Sequence, residues 1–200
     1  LATGSGGLDR FVSPGILYLH GFCSSPASWK ASLLAEAMAA RGLADRFFCP
    51  ALSFVPNEAI AQAEKILREQ DAPLTVVGSS LGGYYATYLA EKYELRAALI
   101  NPAVVAPNSL AEYIGTQTNL YTGESFEFTA AHIAQLRALE VPRITPERYL
   151  LLVETGDEVL DYRQAVSRYA GCEQRVLAGG DHSFTQFPEL LPQLFEFCRL

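Results

Sequence analysis

The chain has 200 residues, half of them apolar, with a mean hydropathy of +0.11 and a formal net charge of −7. This length and composition predict a single globular domain with a sizeable core and exclude an intrinsically disordered chain. The acidic balance argues against a nucleic-acid partner and against an anionic membrane surface, since both require a basic face.

Four cysteines stand far apart in the chain, without CxxC or Cys/His spacing: Cys23, Cys49, Cys172 and Cys198. They indicate neither a disulfide framework nor a zinc site, and reduced thiols in a cytoplasmic protein fit better. No apolar run reaches the roughly 18 residues of a membrane span, and no signal-peptide pattern is visible. We therefore expect a cytoplasmic protein without metal or cofactor, in which residues 1–14 are a disordered or artificially added lead.

Short apolar runs alternate with helical patterns along most of the chain. Strands are predicted at 16–20, 47–52, 73–77, 96–100, 149–153 and 174–177, and helices at 29–41, 57–70, 83–93, 161–169 and 190–198. Continuous apolar strands between helices are typical of a parallel sheet that is covered on both faces. We predict a three-layer α/β domain with strand order 2-1-3-4-5-6, in which Pro50 favours an edge position for the second strand.

Residues 104–147 interrupt this alternation. They contain turn residues and short helical stretches near 110–114 and 130–139, and no strand is expected. So long an excursion after the carboxyl end of a strand is usually functional. We expect a lid over the site, with an elaborate crossover as the alternative.

The most informative stretch is G-S-S-L-G at residues 78–82, which lies between a predicted strand and a predicted helix. This context is typical of a nucleophile elbow, a tight turn that presents a serine hydroxyl above the sheet. The glycines allow close backbone approach, and the helix N-terminus directs free N–H groups toward negative charge. Ser80 is therefore the candidate nucleophile, and a Gly/Ser-rich turn that merely starts a helix is the alternative.

A nucleophilic serine needs a general base and a carboxylate that orients this base. In such folds the acid and then the histidine follow the serine in the chain. His182 lies just past the last predicted strand, and Asp157 follows a glycine turn after the strand before it. We predict these two as base and acid. Asp161 is a rival that also suits the N-cap of the next helix, Asp181 is a weaker rival, and Glu158 is expected to face solvent.

An oxyanion hole is expected from the backbone N–H groups of Leu81 and Phe22, with Cys23 as a competing donor. Cys23 has no paired histidine of its own, so we interpret it as a pocket residue and not as a nucleophile. His20 precedes the elbow and is expected to shape the following loop. His132 falls in the predicted lid, where a surface or packing role is expected.

Several stretches together resemble the YqiA-type esterases, which are small bacterial α/β-hydrolases. They are L-Y-L-H-G-F at 17–22, V-G-S-S-L-G-G-Y-Y-A-T at 77–87, N-P-A-V at 101–104, Y-T-G at 121–123, T-G-D-E-V-L-D-Y-R-Q-A-V at 155–166 and G-G-D-H-S-F at 179–184. The resemblance runs from about residue 16 to the C-terminus. It implies hydrolysis of carboxylic esters, with acyl-CoA thioesters and short synthetic acyl esters as substrates. It also implies catalytic roles for Ser80, Asp157 and His182, and the chain departs from the family at Cys23 and Asp181, where asparagine is common.

We therefore expect an α/β-hydrolase fold with a reduced, mostly parallel six-stranded sheet and a lid, acting as a serine esterase on a small acyl ester or thioester. An amidase, peptidase or lactonase with the same triad, and a non-catalytic binding protein on this scaffold, remain alternatives. The oligomeric state is left open. Candidates to line the pocket are Tyr84, Tyr85, Asn101, Tyr113 and Tyr121. The acidic balance disfavours a CoA ester unless basic residues gather at the entrance, for which the candidates are Arg137, Arg143 and Arg148.

Overall fold

This computed structural model describes residues 13–200 of the chain, which contain eight strands and seven α-helices. Of the predicted lead 1–14, residues 1–12 lie outside the described residues. In chain order the elements are β1 (Gly15–Leu19), α1 (Trp29–Ala40), β2 (Phe47–Phe48), α2 (Pro56–Glu69), β3 (Leu74–Ser79), α3 (Leu81–Tyr93), β4 (Ala97–Ile100), α4 (Ala106–Ser109), β5 (Gly115–Thr118), β6 (Ser125–Phe128), α5 (Ala130–Ala138), β7 (Tyr149–Glu154), α6 (Tyr162–Arg168), β8 (Glu173–Leu177) and α7 (Phe187–Cys198).

Six of the strands form one sheet in the order β2-β1-β3-β4-β7-β8. Counted over these six strands, this confirms the predicted order 2-1-3-4-5-6. Every pairing is parallel, for example with Leu17 opposite Val76 and Leu99 opposite Leu151. Since the strands all run the same way, their carboxyl ends meet at one edge, where the loops with the predicted site residues begin.

Successive side chains of the strands enter two cores, one on each face of the sheet. Leu17 and Leu99 pack with residues of α2, α3 and α6, whereas Ile16 and Ile100 pack with residues of α1 and α7. Each fully buried aliphatic side chain contributes about 1.5–3 kcal/mol. The predicted three-layer arrangement is confirmed, and the burial of both faces explains why the strands read as continuous apolar runs.

Strand β2 is shorter than the sequence predicts. Only Phe47–Phe48 pair with β1, at the edge of the sheet, whereas a strand was expected over 47–52. Pro50 has no N–H to donate to a ladder. The N–H of Leu52 donates to Nε2 of His20 at 3.0 Å and not to a strand.

The segment between β4 and β7 contains a β-hairpin, so the expectation of no strand over 104–147 is wrong. β5 and β6 pair antiparallel, with Gly115 opposite Phe128. The missed signal is the alternation S-F-E-F at 125–128, in which Phe126 and Phe128 are buried and the two polar residues are exposed. Helix α5 agrees with the helical stretch expected at 130–139, and a 3-10 turn at Ala111–Tyr113 lies within the stretch near 110–114.

Candidate active site

Ser80 occupies a strained turn between β3 and α3. Its backbone has φ 54° and ψ −121°, a conformation that costs about 1–3 kcal/mol and persists only where the surroundings enforce it. The Ser80 N–H donates to the carbonyl of Ile100 at 3.1 Å, and the Ser80 carbonyl accepts from Gly83 at 2.9 Å and Ala103 at 3.0 Å. Sheet and helix therefore hold the serine in place from both sides.

Two glycines permit this turn by close approach. A Cβ on Gly82 would lie 1.9 Å from the carbonyl oxygen of Leu19, and a Cβ on Gly78 would lie 2.2 Å from the carbonyl oxygen of Gly82. Both distances are far below van der Waals contact, and the obstructing atoms are backbone atoms. Alanine at either position would therefore force the helix and the sheet apart.

His182 bridges Ser80 and Asp157. Its Nε2 lies 3.1 Å from Ser80 Oγ, and its Nδ1 lies 2.8 Å from Asp157 Oδ2. The three side chains come from loops at the carboxyl ends of β3, β7 and β8. When Nδ1–H donates to the carboxylate, the Nε2 lone pair faces the serine hydroxyl, which is the arrangement in which a histidine can accept the serine proton.

Asp157 is held in place from its other side by backbone groups. Its Oδ1 accepts the N–H groups of Val159 at 2.9 Å and Leu160 at 2.8 Å, and its side chain is 1% exposed. Burial acts to raise the pKa of Asp157, but hydrogen bonds from His182, Leu160 and Val159 outweigh this effect and lower the pKa below its ordinary value of 3.8. The carboxylate is therefore charged at neutral pH and oriented toward the histidine.

The three other acidic residues considered from the sequence do not contact the imidazole of His182. Asp161 caps α6, where its Oδ1 accepts the N–H of Arg163 at 3.0 Å. Glu158 is exposed, but its Oε2 also accepts the backbone N–H of His182 at 3.0 Å, a contact that the sequence reasoning missed. Asp181 directs its buried Oδ1 to no hydrogen-bond partner within residues 13–200. The imidazole of His182 thus contacts Asp157 and none of these three.

The predicted oxyanion donors adjoin Ser80. Phe22 and Leu81 line the same cavity as Ser80 and His182. Leu81 is the first residue of α3, so its N–H has no acceptor within the helix. A Cβ on Gly21 would lie 3.2 Å from the Cβ of Ser80, which shows how closely the loop after β1 packs against the elbow.

Cys23 lines this cavity as well, in a left-handed conformation with φ 52°. Its carbonyl accepts the N–H of Leu120, at the tip of the β5–β6 hairpin, at 2.9 Å. Burial raises the pKa of the Cys23 thiol, which is the opposite of what a nucleophilic cysteine needs. All four cysteines are free.

The two other histidines have structural contacts. His20 is 4% exposed; its Nδ1–H donates to the carbonyl of Gly21 and its Nε2 accepts the N–H of Leu52, both at 3.0 Å. Burial lowers the pKa of His20, so the neutral ring links the loops after β1 and β2. His132 accepts the N–H of Thr129 at 3.1 Å and thereby caps α5.

A cavity of 370 Å³ opens beside Ser80 and His182. Its wall is mostly apolar, and the side chains that face it from the insertion and from the loop after β7 include Leu110, Tyr113, Leu120, Val159 and Leu160. Among the described residues that line it there is one carboxylate, Glu112, and neither lysine nor arginine. The cavity therefore suits an apolar, uncharged group.

The other predicted lining residues lie away from this cavity. Of the five tyrosine and asparagine candidates, Tyr113 lines this cavity. Tyr85 lines a second cavity of 290 Å³, which shares Phe22, Cys23 and Leu81 with the first. Arg148 forms ion pairs with Glu91 and Glu94, at 3.0 and 3.3 Å. Arg137 and Arg143 line neither cavity.

Neither a metal cluster nor a membrane span is found over residues 13–200. Within that range no three His, Cys, Asp or Glu side chains are grouped so that they could hold a metal ion. None of the helices described there combines the length and the apolar character needed to cross a membrane.

The chain matches the model of the uncharacterised protein family UPF0227 over residues 15–199. Among solved structures, it is similar to the alpha/beta hydrolase domain-containing protein 10 from mouse, with 20% identity, a TM-score of 0.68 and coverage of 92% of this chain and 89% of that one. It is also similar to Est1E from Butyrivibrio proteoclasticus (16% identity, TM-score 0.64, 94% and 89% covered). A third similar structure is the Paleococcus ferrophilus monoacylglycerol lipase (15% identity, TM-score 0.65, 92% and 93% covered). These structural likenesses confirm the predicted α/β-hydrolase fold.

Proposed function

We propose that this chain, which belongs to the uncharacterised protein family UPF0227, the YqiA family, is a serine esterase. In this proposal Ser80 is the nucleophile, His182 the general base and Asp157 the acid that orients the base. The observation that carries it is the continuous contact from Ser80 Oγ to His182 at 3.1 Å and from His182 to Asp157 at 2.8 Å. The fold shared with proteins named as an alpha/beta hydrolase and as a monoacylglycerol lipase supports a hydrolase in general terms.

The first half of the reaction acylates the enzyme. Ser80 Oγ attacks the ester carbonyl while His182 Nε2 takes the hydroxyl proton, and the ionised Asp157 stabilises the resulting imidazolium. The N–H groups of Phe22 and Leu81 donate to the oxyanion of the tetrahedral intermediate. His182 then returns the proton to the leaving alcohol or thiol as the acyl–oxygen or acyl–sulfur bond breaks.

The second half releases the acid. A water molecule takes the place of the leaving group, His182 removes its proton, and the hydroxide formed attacks the acyl-enzyme. Collapse of the second tetrahedral intermediate frees the carboxylic acid and returns the proton to Ser80. Every step uses water together with side chains and backbone N–H groups of this chain, so the proposed reaction needs no cofactor.

The insertion at 104–147 acts as the lid in this proposal. Leu110, Tyr113 and Leu120 of the insertion face the cavity beside Ser80, so they would contact the apolar part of a bound substrate. Since neither lysine nor arginine lines the described part of the cavity, an uncharged acyl ester is the better fit. A thioester with a polyanionic leaving group gains no ion pair there.

Labelling with a fluorophosphonate probe followed by peptide mapping tests the proposal. We expect a phosphonate adduct on Ser80, no adduct in Ser80→Ala, and a large loss of labelling rate in His182→Ala. A panel of ester, thioester, amide and lactone substrates then separates an esterase from an amidase, peptidase or lactonase. Folded wild-type protein that neither takes up the probe nor hydrolyses short acyl esters would support the non-catalytic scaffold.

A further inference from the structure

Glu154 is a buried carboxylate at the end of β7 that the mechanism above does not use. Glu154 is 0% exposed. Burying a carboxylate is costly unless charged or hydrogen-bonding partners satisfy it. The sequence presents it as the last residue of an apolar strand, Y-L-L-L-V-E at 149–154. Its partners therefore show what it does.

Both carboxylate oxygens of Glu154 bind the loop that carries His182. Oε2 accepts the backbone N–H of Asp181 at 2.8 Å, and Oε1 accepts the backbone N–H of Gln186 at 2.9 Å. Asp181 directly precedes His182 and Gln186 follows it by four residues, so one carboxylate binds the loop on both sides of the histidine. These N–H groups have no strand or helix partner, because the loop lies between β8 and α7.

The same carboxylate lies against Gly180, at a distance that leaves no room for a side chain there. Gly180 has φ +71°, and a Cβ there would lie 1.9 Å from Glu154 Oε2. The second glycine of A-G-G-D-H-S-F therefore does more than allow a sharp turn. It leaves room for Glu154 to reach the backbone beneath His182.

Besides Glu158, which accepts the backbone N–H of His182, two further side chains hold the peptides next to His182. Asn101 Nδ2 donates to the carbonyl of Asp181 at 3.1 Å, while its Oδ1 accepts the N–H of Glu154 at 3.0 Å. Lys30 Nζ donates to the carbonyl of Ser183 at 2.7 Å. Burial lowers the pKa of Lys30 to about 8, against the opposing effect of nearby Asp181 and Glu154. A partly buried cation thus accompanies the buried carboxylate.

We infer that Glu154, assisted by Lys30, is a positioning residue that sets the location of the His182 imidazole between Ser80 and Asp157. The inference rests on the proposed serine-esterase function. Catalytic side chains need to be placed within about 0.5 Å, and a displacement of about 1 Å can cost 10²-fold in rate. The loop has no regular backbone ladder of its own, so side chains from other elements, Glu154 of β7 and Lys30 of α1 among them, supply this accuracy.

Glu154→Gln is the direct test. The amide oxygen can accept one of the two loop N–H groups, but the amide NH₂ then faces the other N–H, donor against donor. We expect the second-order rate of fluorophosphonate labelling at Ser80 to fall by about 10²-fold. We also expect kcat on a short acyl ester to fall similarly while KM stays within about twofold, because His182 is the residue of 178–186 that lines the cavity and the loop otherwise serves to position it.

Glu91→Gln is the matched control. Glu91 also accepts a backbone N–H, from Thr145 at 2.7 Å, and it pairs with Tyr149 and Arg148 at the opposite end of β7. This variant should lose stability but keep the wild-type labelling rate per folded molecule. If Glu154→Gln and Glu91→Gln both lose labelling only in proportion to their unfolded fraction, Glu154 is merely structural and the inference is wrong.

Lys30→Met tests the positioning role if Glu154→Gln does not fold. Lys30 lies at the start of α1 and is only partly buried, so its loss is tolerable to the core. We expect a severalfold lower labelling rate with unchanged KM, and an unchanged rate would overturn the inference. Failure of the proposed function looks different, since the folded wild-type protein itself would then not label.

Discussion

Replacing Asp157 with asparagine tests the proposed triad through a single atom. In the wild type, Oδ1 accepts the N–H groups of Val159 and Leu160 at 2.9 and 2.8 Å, and Oδ2 accepts Nδ1–H of His182 at 2.8 Å. Asparagine has one acceptor oxygen, and the two backbone donors hold this oxygen at the Oδ1 position. Its NH₂ group must then face His182 Nδ1.

This orientation reverses the tautomer of the histidine. Nδ1 has to accept a hydrogen bond, so the ring proton moves to Nε2 and points at Ser80 Oγ, which can no longer transfer its own proton. The expected loss in kcat is about 10⁴-fold, the size found when a Ser–His–Asp enzyme keeps its geometry with the wrong tautomer. That corresponds to about 5 kcal/mol of transition-state stabilisation.

The assay is kcat on a short-chain nitrophenyl ester, together with the fluorophosphonate labelling rate and circular dichroism to verify folding. Asp161→Asn is the control, because Asp161 caps α6 through its contact with Arg163 N–H. It should cost at most about 1 kcal/mol of stability and leave kcat within twofold. A folded Asp157→Asn protein with more than a tenth of the wild-type kcat would refute the tautomer argument.

The remaining predictions concern the elbow, acid stability and the substrate. Gly82→Ala places a Cβ 1.9 Å from the carbonyl of Leu19 and should cost about 3 kcal/mol, measured by urea unfolding; a cost below about 1 kcal/mol would mean that the helix shifts freely. The pKa of Asp157 is lowered on folding, so its charge stabilises the fold above about pH 4 and this contribution is lost as pH falls through the lowered value. The gap in unfolding free energy between the wild type and Asp157→Asn should accordingly narrow below about pH 4, and a constant gap would contradict the shift. Because Glu112 is the carboxylate in a cavity whose described lining has neither lysine nor arginine, kcat/KM should be higher for an uncharged ester than for an acyl-CoA of equal chain length. Added salt should reduce that difference, and an equal or reversed preference at low salt would contradict the argument.

The sheet could be predicted from the sequence because its strands are buried on both faces. Leu150, Leu151 and Leu152 are each 0% exposed, so adjacent apolar residues carry the signal and no alternation is needed. The hairpin β5–β6 was missed for the opposite reason. Each of its strands has four residues, the shortest alternating run that marks a strand. Gly115–Thr118 contains no apolar side chain, so the alternation at 125–128 is the one signal that the hairpin offers.

The candidate site could be predicted where it depends on a short motif, G-S-S-L-G at 78–82, and on the order of the acid and the histidine in the chain. Ser80, Asp157 and His182 were selected from their places after the third, fifth and sixth predicted strands, and the structure brings them into contact; their catalytic roles stay predictions. Glu154 could not be found in this way. Its partners are backbone N–H groups of a distant loop, and any residue of that loop would offer such groups, so the sequence contains no complementary side chain that could mark the contact.

The substrate-facing side of the site depends on the segment that sequence reasoning described least well. The tip of the hairpin is fastened to the loop after β1 by two hydrogen bonds, from Leu120 N–H to the carbonyl of Cys23 at 2.9 Å and from Asn119 Nδ2 to the carbonyl of Ser24 at 2.8 Å. The same loop supplies the Phe22 N–H proposed for the oxyanion hole. A shift of the hairpin therefore moves a wall of the pocket and the proposed oxyanion donor together. Under the proposed function, the choice of substrate and the stabilisation of the transition state are coupled through one short loop, so binding an ill-fitting group is expected to impair kcat as well as KM.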